Sequence, residues 1–350
     1  MGENMFAFIN PEYALLYRII GAFAFALLLS LICGAPFIAF LHKHQQKGQP
    51  IREDGPQSHL QTKKGTPTMG GLLILGAAIL AILLFAKISY HFVCVSVLVL
   101  IMYGITGFID DYWKVKRQNS NAMTARMKLF LQFLTALLAA SIITAATTTN
   151  INTVLSFPYL KSVMLNLGWL YIPFAVVVIS GASNAVNLSD GLDGLASGLL
   201  IIAFTFFAAV AYFCGIEGSM MHYIPRCGEV AVVCAAVVGA CLGFLYYNKP
   251  KARVFMGDTG SLALGALLGA VAVMTKQEIL LAIVGGVFVA ETLSVMIQVA
   301  YYKKTGKRFF KMAPIHHHFE QLGWSEKKVV MRFWGTALAL AALGCLIFIG

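Results

Sequence analysis

The sequence holds 350 residues, of which 59% are hydrophobic and only 12% charged, with a mean hydropathy of +0.78. A water-soluble domain is about a quarter charged, so this composition excludes a soluble globular chain and is that of a membrane protein. The net charge is +11, but the basic residues flank apolar runs instead of lining one face, which argues against nucleic acid as a partner.

The seven cysteines sit mostly inside apolar runs and form no C-x-x-C pair, so neither a disulfide framework nor a zinc site is indicated. Cys227, Cys234 and Cys241 recur every seven residues, as small residues on a helix-packing face do. The start of the chain has acidic Glu3 and Glu12 before its first basic residue, unlike a signal peptide, and Phe6 stands where myristoylation needs Ser or Thr.

A helix crossing about 30 Å of hydrocarbon needs ~20 apolar residues. Ten stretches qualify in chain order: 15–41, 70–87, 91–109, 129–146, 168–183, 195–213, 229–247, 260–275, 279–301 and 329–349. The fifth contains Pro173 and the eighth is short and Gly-rich, so either is a candidate for a tilted or re-entrant segment. No internal repeat is visible. Counting Lys and Arg between the stretches puts 21 on one side and 5 on the other. The basic side is cytoplasmic by the positive-inside rule. The expected architecture is an all-α polytopic membrane protein, one domain over 1–350 with about ten transmembrane helices and both termini periplasmic. Its cytoplasmic loops fall at 42–69, 110–128, 184–194, 248–259 and 302–328.

The chemistry gathers where these stretches meet the loops. All six aspartates, Asp54, Asp110, Asp111, Asp190, Asp193 and Asp258, lie at cytoplasmic ends or loops, and none at a midplane. Water alone accounts for Asp54, but five carboxylates at helix ends beside Gly and Asn mark a functional site. Asp110 and Asp111 close the third stretch, and Lys114 lies three and four positions on, within reach of both. Two adjacent like charges suit a cation or proton-transfer site better than a structural pair.

Asn184, Asn187, Asp190 and Asp193 follow at three-residue spacing, a pattern expected to share one helix face, with Gly191 and Gly194 permitting a tight turn. Amides and carboxylates in such an array suit a nucleoside or sugar. Asn248 precedes Lys249, Lys251 and Arg253, then Phe255-Met-Gly-Asp258-Thr-Gly-Ser261 before an apolar run. That run reads as a helix N-terminus, whose N–H groups attract phosphate. Asp258 is there either an N-cap or a ligand for Mg²⁺, the cation phosphoryl transfer uses. Three consecutive histidines, His316, His317 and His318, point in different directions on a helix and suit phosphate or substrate contacts more than a shared metal. Lys63, Lys64, Gly65 and Thr68 precede the second stretch, where a basic flank and a phosphate contact are both open readings. Glu291 sits inside the ninth stretch with Gln298 two turns on, where a polar kink or helix–helix contact and a catalytic role are both open readings.

Five motifs, in order, resemble the polyprenyl-phosphate N-acetylhexosamine-1-phosphate transferase family. They are Lys-Lys-Gly-Thr-Pro-Thr-Met-Gly-Gly at 63–71, Asp-Asp at 110–111, Asn-x-x-Asn-x-x-Asp-Gly-x-Asp-Gly at 184–194, Phe-Met-Gly-Asp at 255–258 and Pro-Ile-His-His-His-Phe-Glu at 314–320. The resemblance runs end to end with no departure at these positions, and the triple-His segment points to the muramoyl-pentapeptide branch. It implies a ten-helix, often homodimeric protein of the bacterial inner membrane with a cytoplasmic-facing cleft. The implied reaction moves phospho-N-acetylmuramoyl-pentapeptide from UDP to undecaprenyl phosphate, with Mg²⁺ dependence, yielding UMP and lipid I for peptidoglycan. The resemblance carries over Asp258 as metal ligand, with Asp110 and Asp111 as catalytic carboxylates and possible further ligands. Around the uridine it implies Asn187, Asp190, Gly191, Leu192, Asp193 and Phe255. Further substrate contacts are implied at Lys63, Thr68, Lys114, Asn248, Gln298 and His316, His317 and His318. A sugar-1-phosphate transferase of the same family, or a divalent-cation transporter with aspartates as a selectivity ring, are the rival readings. The transporter predicts acids deep in the bilayer, which the sequence lacks.

Overall fold

In lipid every backbone amide needs an internal partner, so long apolar runs resolve into helices. A computed structural model describes residues 11–45, 48, 65–118, 123–157, 164–217 and 223–349. Lys63, Lys64 and Asp54 lie outside the described residues. In chain order the helices are α1 (Pro11–His44), α2 (Gly71–Phe85), α3 (His91–Arg117), α4 (Ala125–Ala146), α5 (Tyr171–Ser189), α6 (Leu195–Cys214), α7 (Gly228–Asn248), α8 (Gly257–Met274), α9 (Glu278–Val284), α10 (Gly286–Thr305), α11 (Ile315–Gln321) and α12 (Glu326–Ile349). A short antiparallel pair, β1 (Val154–Ser156) and β2 (Met164–Asn166), separates α4 from α5, with Leu155 opposite Leu165.

Each of the ten apolar stretches contains a helix, but their lengths differ from expectation. Among the described residues eight helices are long and apolar enough to cross a membrane, nine if α9 and α10 count as one span bent by 83°. Helix α2, with 15 residues, reaches about 22 Å at 1.5 Å per residue, short of the hydrocarbon thickness. The two stretches suspected of being re-entrant are regular. Pro173 falls in the first turn of α5, where its missing N–H breaks no bond. The Gly-rich eighth stretch is the continuous helix α8, and the break falls instead at Gly285, between α9 and α10.

Burial separates centre from rim. Helices α8 and α7 are 94% and 83% buried over their apolar windows, whereas α1 and α12 are each 28% buried and present their remainder to lipid. Association of helices in lipid relies on close packing of small residues, and the central helices are rich in Gly and Ala. On the α8 face toward α5, a Cβ at Gly269 would come within 2.8 Å of Ile179 Cα. Cys234 and Cys241 are fully buried on α7 as free thiols, consistent with a packing role.

The alternating helices give the bundle two ends. At one, Arg18 Nη2 meets Glu229 Oε1 at 2.6 Å, and Lys276 Nζ donates to Asn152 O at 2.6 Å over the Tyr171 ring. At the other end lie the C-terminal turns of α3, α5 and α7 and the first turns of α4, α6 and α8, and the described aspartates fall in α3, in α8 and in the loop between α5 and α6.

Candidate active site

Helix α3 continues two turns beyond the predicted end at 109, to Arg117, so Lys114 folds back over the carboxylates one turn earlier. Its Nζ lies 2.8 Å from Asp110 Oδ2, 3.9 Å from Asp111 Oδ1 and 3.0 Å from Asp258 Oδ2. A second ammonium, Lys128 Nζ on the first turns of α4, contacts Asp258 Oδ2 and lies 3.5 Å from Asp110 Oδ2. The backbone N–H of Met123 donates to Asp110 Oδ1 at 3.0 Å. Three carboxylates and two lysines from three helices therefore share one cluster. Desolvated charge of this density is tolerated because each group faces its opposite.

Asp111 has a different environment from its neighbour. Its side chain is fully buried, and its oxygens accept from Asp258 N at 3.2 Å, Thr259 N at 2.9 Å and Thr259 Oγ1 at 2.7 Å. The helix end expected to attract a phosphate is thus occupied by a carboxylate of the chain itself. Asp258 is not the N-cap either: Met256 holds that position without a side-chain bond, and Asp258 stands in the first turn of α8. Gly257, at φ +73°, makes the entry: a Cβ there would lie 2.5 Å from Asp111 Oδ2 and 2.6 Å from Thr68 Oγ1.

Thr68 is buried, and its hydroxyl has no hydrogen-bond partner among the described residues. Its backbone is held on both sides by the Gln45 amide, at 3.0 and 3.2 Å. The strand-like segment before α2 pairs with that before α8 through Phe255 N to Pro67 O and Gly70 N to Phe255 O.

The polar array after 184 does not share one helix face, because α5 ends at Ser189. Asn184 donates to Gln132 Oε1 on α4, while Asn187 Nδ2 donates to Asp258 Oδ1 at 3.0 Å and Ser261 Oγ at 2.8 Å. Asp190 caps α5 and opens the loop to α6. Leu192 is buried in that loop. Asp193 Oδ2 accepts from Ala252 N at 2.9 Å, and its own N–H donates to Glu326 Oε1 at 2.8 Å. The Asn248 amide ties the end of that loop to its neighbours, accepting from Gly194 N and from Ser197 Oγ on α6 and donating to Val254 O before α8.

The histidines take three directions, as three consecutive helical residues must. His316 is buried with Nδ1 3.0 Å from Glu291 Oε1, His317 Nδ1 pairs with Glu320 Oε2 at 2.6 Å, and His318 Nδ1 accepts from Lys311 N at 3.1 Å. Gln298 Oε1 accepts from Phe309 N and Phe310 N, pinning the loop that leaves α10.

Lys128 and Ser261 escaped the sequence reading as site residues. In the sequence Lys128 reads as flanking charge, yet it carries a signal: a lysine in the first turns of a helix sits at the unfavourable end of its dipole, here behind the Thr124 cap. Among the described residues no group of three His, Cys, Asp or Glu side chains is arranged to hold a metal ion.

The model of the family described as "Glycosyl transferase family 4" matches residues 92–276, and the "Phospho-N-acetylmuramoyl-pentapeptide-transferase signature 1" matches 63–75. The chain is 49% identical over 345 residues to a phospho-N-acetylmuramoyl-pentapeptide-transferase of Ruegeria sp. (strain TM1040), covering 97% of this chain and 94% of that protein. It is also 49% identical over 328 residues to one of Caulobacter sp. (strain K31), covering 91% and 88%. Both matches span the aspartate cluster together with the helices that position it. The chain belongs to glycosyl transferase family 4, within its phospho-N-acetylmuramoyl-pentapeptide-transferase members, and is a multi-pass protein of the bacterial inner membrane.

Proposed function

We propose that the chain transfers phospho-N-acetylmuramoyl-pentapeptide from its UDP carrier to undecaprenyl phosphate, giving lipid I and UMP. The observation that carries this reading is the pair of ammonium groups, Lys114 and Lys128, held between Asp110 and Asp258 at the rim of the apolar bundle. A diphosphate needs cations there, and a lipid phosphate reaches only that depth. Lys114, Lys128 and Asp258 keep 14%, 18% and 14% of their side chains exposed, so substrate can reach them, whereas Asp111 is sealed. The 21-to-5 split of basic residues favours a cytoplasmic-facing site, where a nucleotide-linked donor is met.

Mg²⁺ fits the donor set. Hard carboxylate oxygens of Asp258 and Asp110 already converge on shared cationic groups. A site with few protein ligands also suits an ion that binds through one or two carboxylates, phosphates and water. Asp258 would hold it, with Asp110 beside it, and the ion would neutralise charge on the diphosphate and the departing UMP. Asn187 orients Asp258 through Oδ1. Asp111 acts as the anchor that sets α8, and through it Asp258.

In the proposed step an oxygen of the lipid phosphate attacks the sugar-bearing phosphorus of the donor. A new P–O bond forms as the bridging P–O bond breaks, and UMP leaves with the bond electrons. Lys114 and Lys128 turn to the phosphate oxygens, and Asp110 Oδ2 takes the proton of the lipid phosphate. Direct attack is the proposed route, with an aspartyl-phosphate through Asp258 as its competitor. The cleft loop 190–194 would hold the uridine, with Phe255 beside it. All groups of the site come from one chain, so a homodimer of the kind the resemblance implies would carry two complete sites.

The test is UMP release from UDP-N-acetylmuramoyl-pentapeptide by the purified protein, with and without undecaprenyl phosphate and Mg²⁺. Release dependent on both is expected; release indifferent to the lipid phosphate would overturn the reading. Stereochemistry at a chiral, isotopically labelled phosphorus separates the routes, and net retention would sink direct attack.

A further inference from the structure

Glu291 is a buried acid inside a membrane helix that no step above uses. Acids at that depth are costly and mark function or a committed partner. Helix α10 leaves the bundle after the 83° bend, and only Val287, Phe288, Glu291 and Ser294 along it are buried. Glu291 Oε1 lies 3.0 Å from His316 Nδ1, and neither side chain is more than 1% exposed. At the other edge of the ring, His316 Nε2 is pressed against Gly191: a Cβ on that glycine would overlap Nε2 and lie 2.9 Å from Cε1. Among the described residues Nε2 has no hydrogen-bond partner.

These contacts make a strut of three parts, carboxylate, imidazole and glycine backbone. A carboxylate at Nδ1 selects the Nδ1–H tautomer and fixes the ring plane. The far edge then meets Gly191 at a set distance. The 190–194 loop has other anchors, Ala252 N on Asp193 and Asn248 on Gly194, but they hold its second half. His316 bears on its first half, beside Asp190. A fully buried ring also cannot touch a substrate while the loop stays in place.

We propose that Glu291 is a positioning residue for the nucleotide donor: it holds His316 against Gly191, and the ring sets the Asp190–Asp193 loop at the height that accepts the uridine. His316 works through that loop and not by direct contact. The proposal rests on the nucleotide reading of the loop given above.

The experiment uses the full chain in detergent or nanodiscs and UMP as the probe, since UMP binding needs no turnover. Glu291→Leu is expected to weaken UMP binding and raise KM for the UDP-linked donor by about 10-fold to 100-fold. KM for undecaprenyl phosphate should stay within about twofold, the split a merely structural role would not produce. Glu291→Gln, whose Oε1 still accepts from Nδ1–H, should restore most of the UMP affinity. The proposal is overturned if both variants bind UMP like the parent, or if both lower thermal stability alike and move every constant together. Should Glu291→Leu fail to fold, Gly191→Ala approaches from the other edge of the ring. Loss of UMP affinity in that variant which is relieved when His316→Ala is added supports the strut; unchanged affinity, or a loss that His316→Ala does not relieve, refutes it. A parent chain that does not bind UMP at all overturns the nucleotide reading itself, and the proposal with it.

Discussion

Asp111 on α3 accepts two hydrogen bonds from Thr259 on α8, one from its backbone N–H at 2.9 Å and one from its hydroxyl at 2.7 Å. A buried carboxylate thereby caps the first turn of the most buried helix, with its charge at the positive end of the helix dipole. Of two adjacent aspartates, one is committed to architecture and the other is left facing the lysines.

This division predicts different losses at neighbouring positions. Thr259→Val removes one bond to a charged acceptor and should cost roughly 1.5–3 kcal/mol of stability, read from thermal unfolding in detergent. Its UMP release should fall only as far as α8 shifts, less than about tenfold, a factor worth 1.4 kcal/mol. An unchanged unfolding temperature would contradict the anchoring role.

Lys128 should behave as machinery. Lys128→Met leaves Asp258 and Asp110 facing one ammonium instead of two, and removes a cation aimed at the diphosphate. Loss of such a preorganised charge is expected to reduce kcat by about 10²–10³. Lys128→Arg should recover little, because a planar guanidinium cannot sit as a point charge between two carboxylates from different helices. Single-turnover UMP release separates this from slow product departure.

Asp258 should control the divalent-cation response. Chelation should abolish UMP release by the parent chain, and added Mg²⁺ should restore it. Asp258→Asn keeps an acceptor for Asn187 but loses the charge, so half-maximal activation should need at least about tenfold more Mg²⁺. The same Mg²⁺ titration curve for parent and variant would remove Asp258 from the metal site.

The opposite end of the bundle predicts a pH dependence of stability. Burial pushes the Lys276 ammonium down to about 8 from its ordinary 10.5, with Glu278 acting in the other direction. A depressed lysine releases its proton more readily in the folded chain than in the unfolded one. Its contribution is therefore unfavourable below about pH 8 and is relieved as pH rises toward the ordinary lysine value. The parent chain should gain thermal stability relative to Lys276→Met between pH 8 and 10. A pH-independent difference between the two would show that Lys276 titrates normally.

Much of the site was legible because its residues are rare in this sequence. Few acids occur in so apolar a chain, and Asp110, Asp111 and Asp258 stand out at helix ends without any structure. The partnership of Lys114 with Asp110 follows from helical spacing alone. Lys128 was not legible in the same way, because its distance from Asp258 spans 130 residues and depends on how α4 and α8 pack. Glu291 was visible as an anomaly, but its partner His316 lies beyond the exposed turn of chain that follows α10. The spacing of Asn184, Asn187, Asp190 and Asp193 misled, since α5 ends before the last two are reached.

The sequence by itself determined the class, the location of the polar ends and the family, because hydropathy, charge placement and ordered motifs are local properties of the chain. Tertiary structure alone decided which carboxylate is sealed and which is reachable, and that a lysine counted as a membrane flank belongs to the site. The reason is physical: burial and charge pairing are set by neighbours on other helices, and no local pattern encodes which helix packs beside which. The excess basic charge that the composition announced is therefore two things at once, flanking charge beside the apolar stretches along most of the chain and, at Lys114 and Lys128, part of the proposed chemistry.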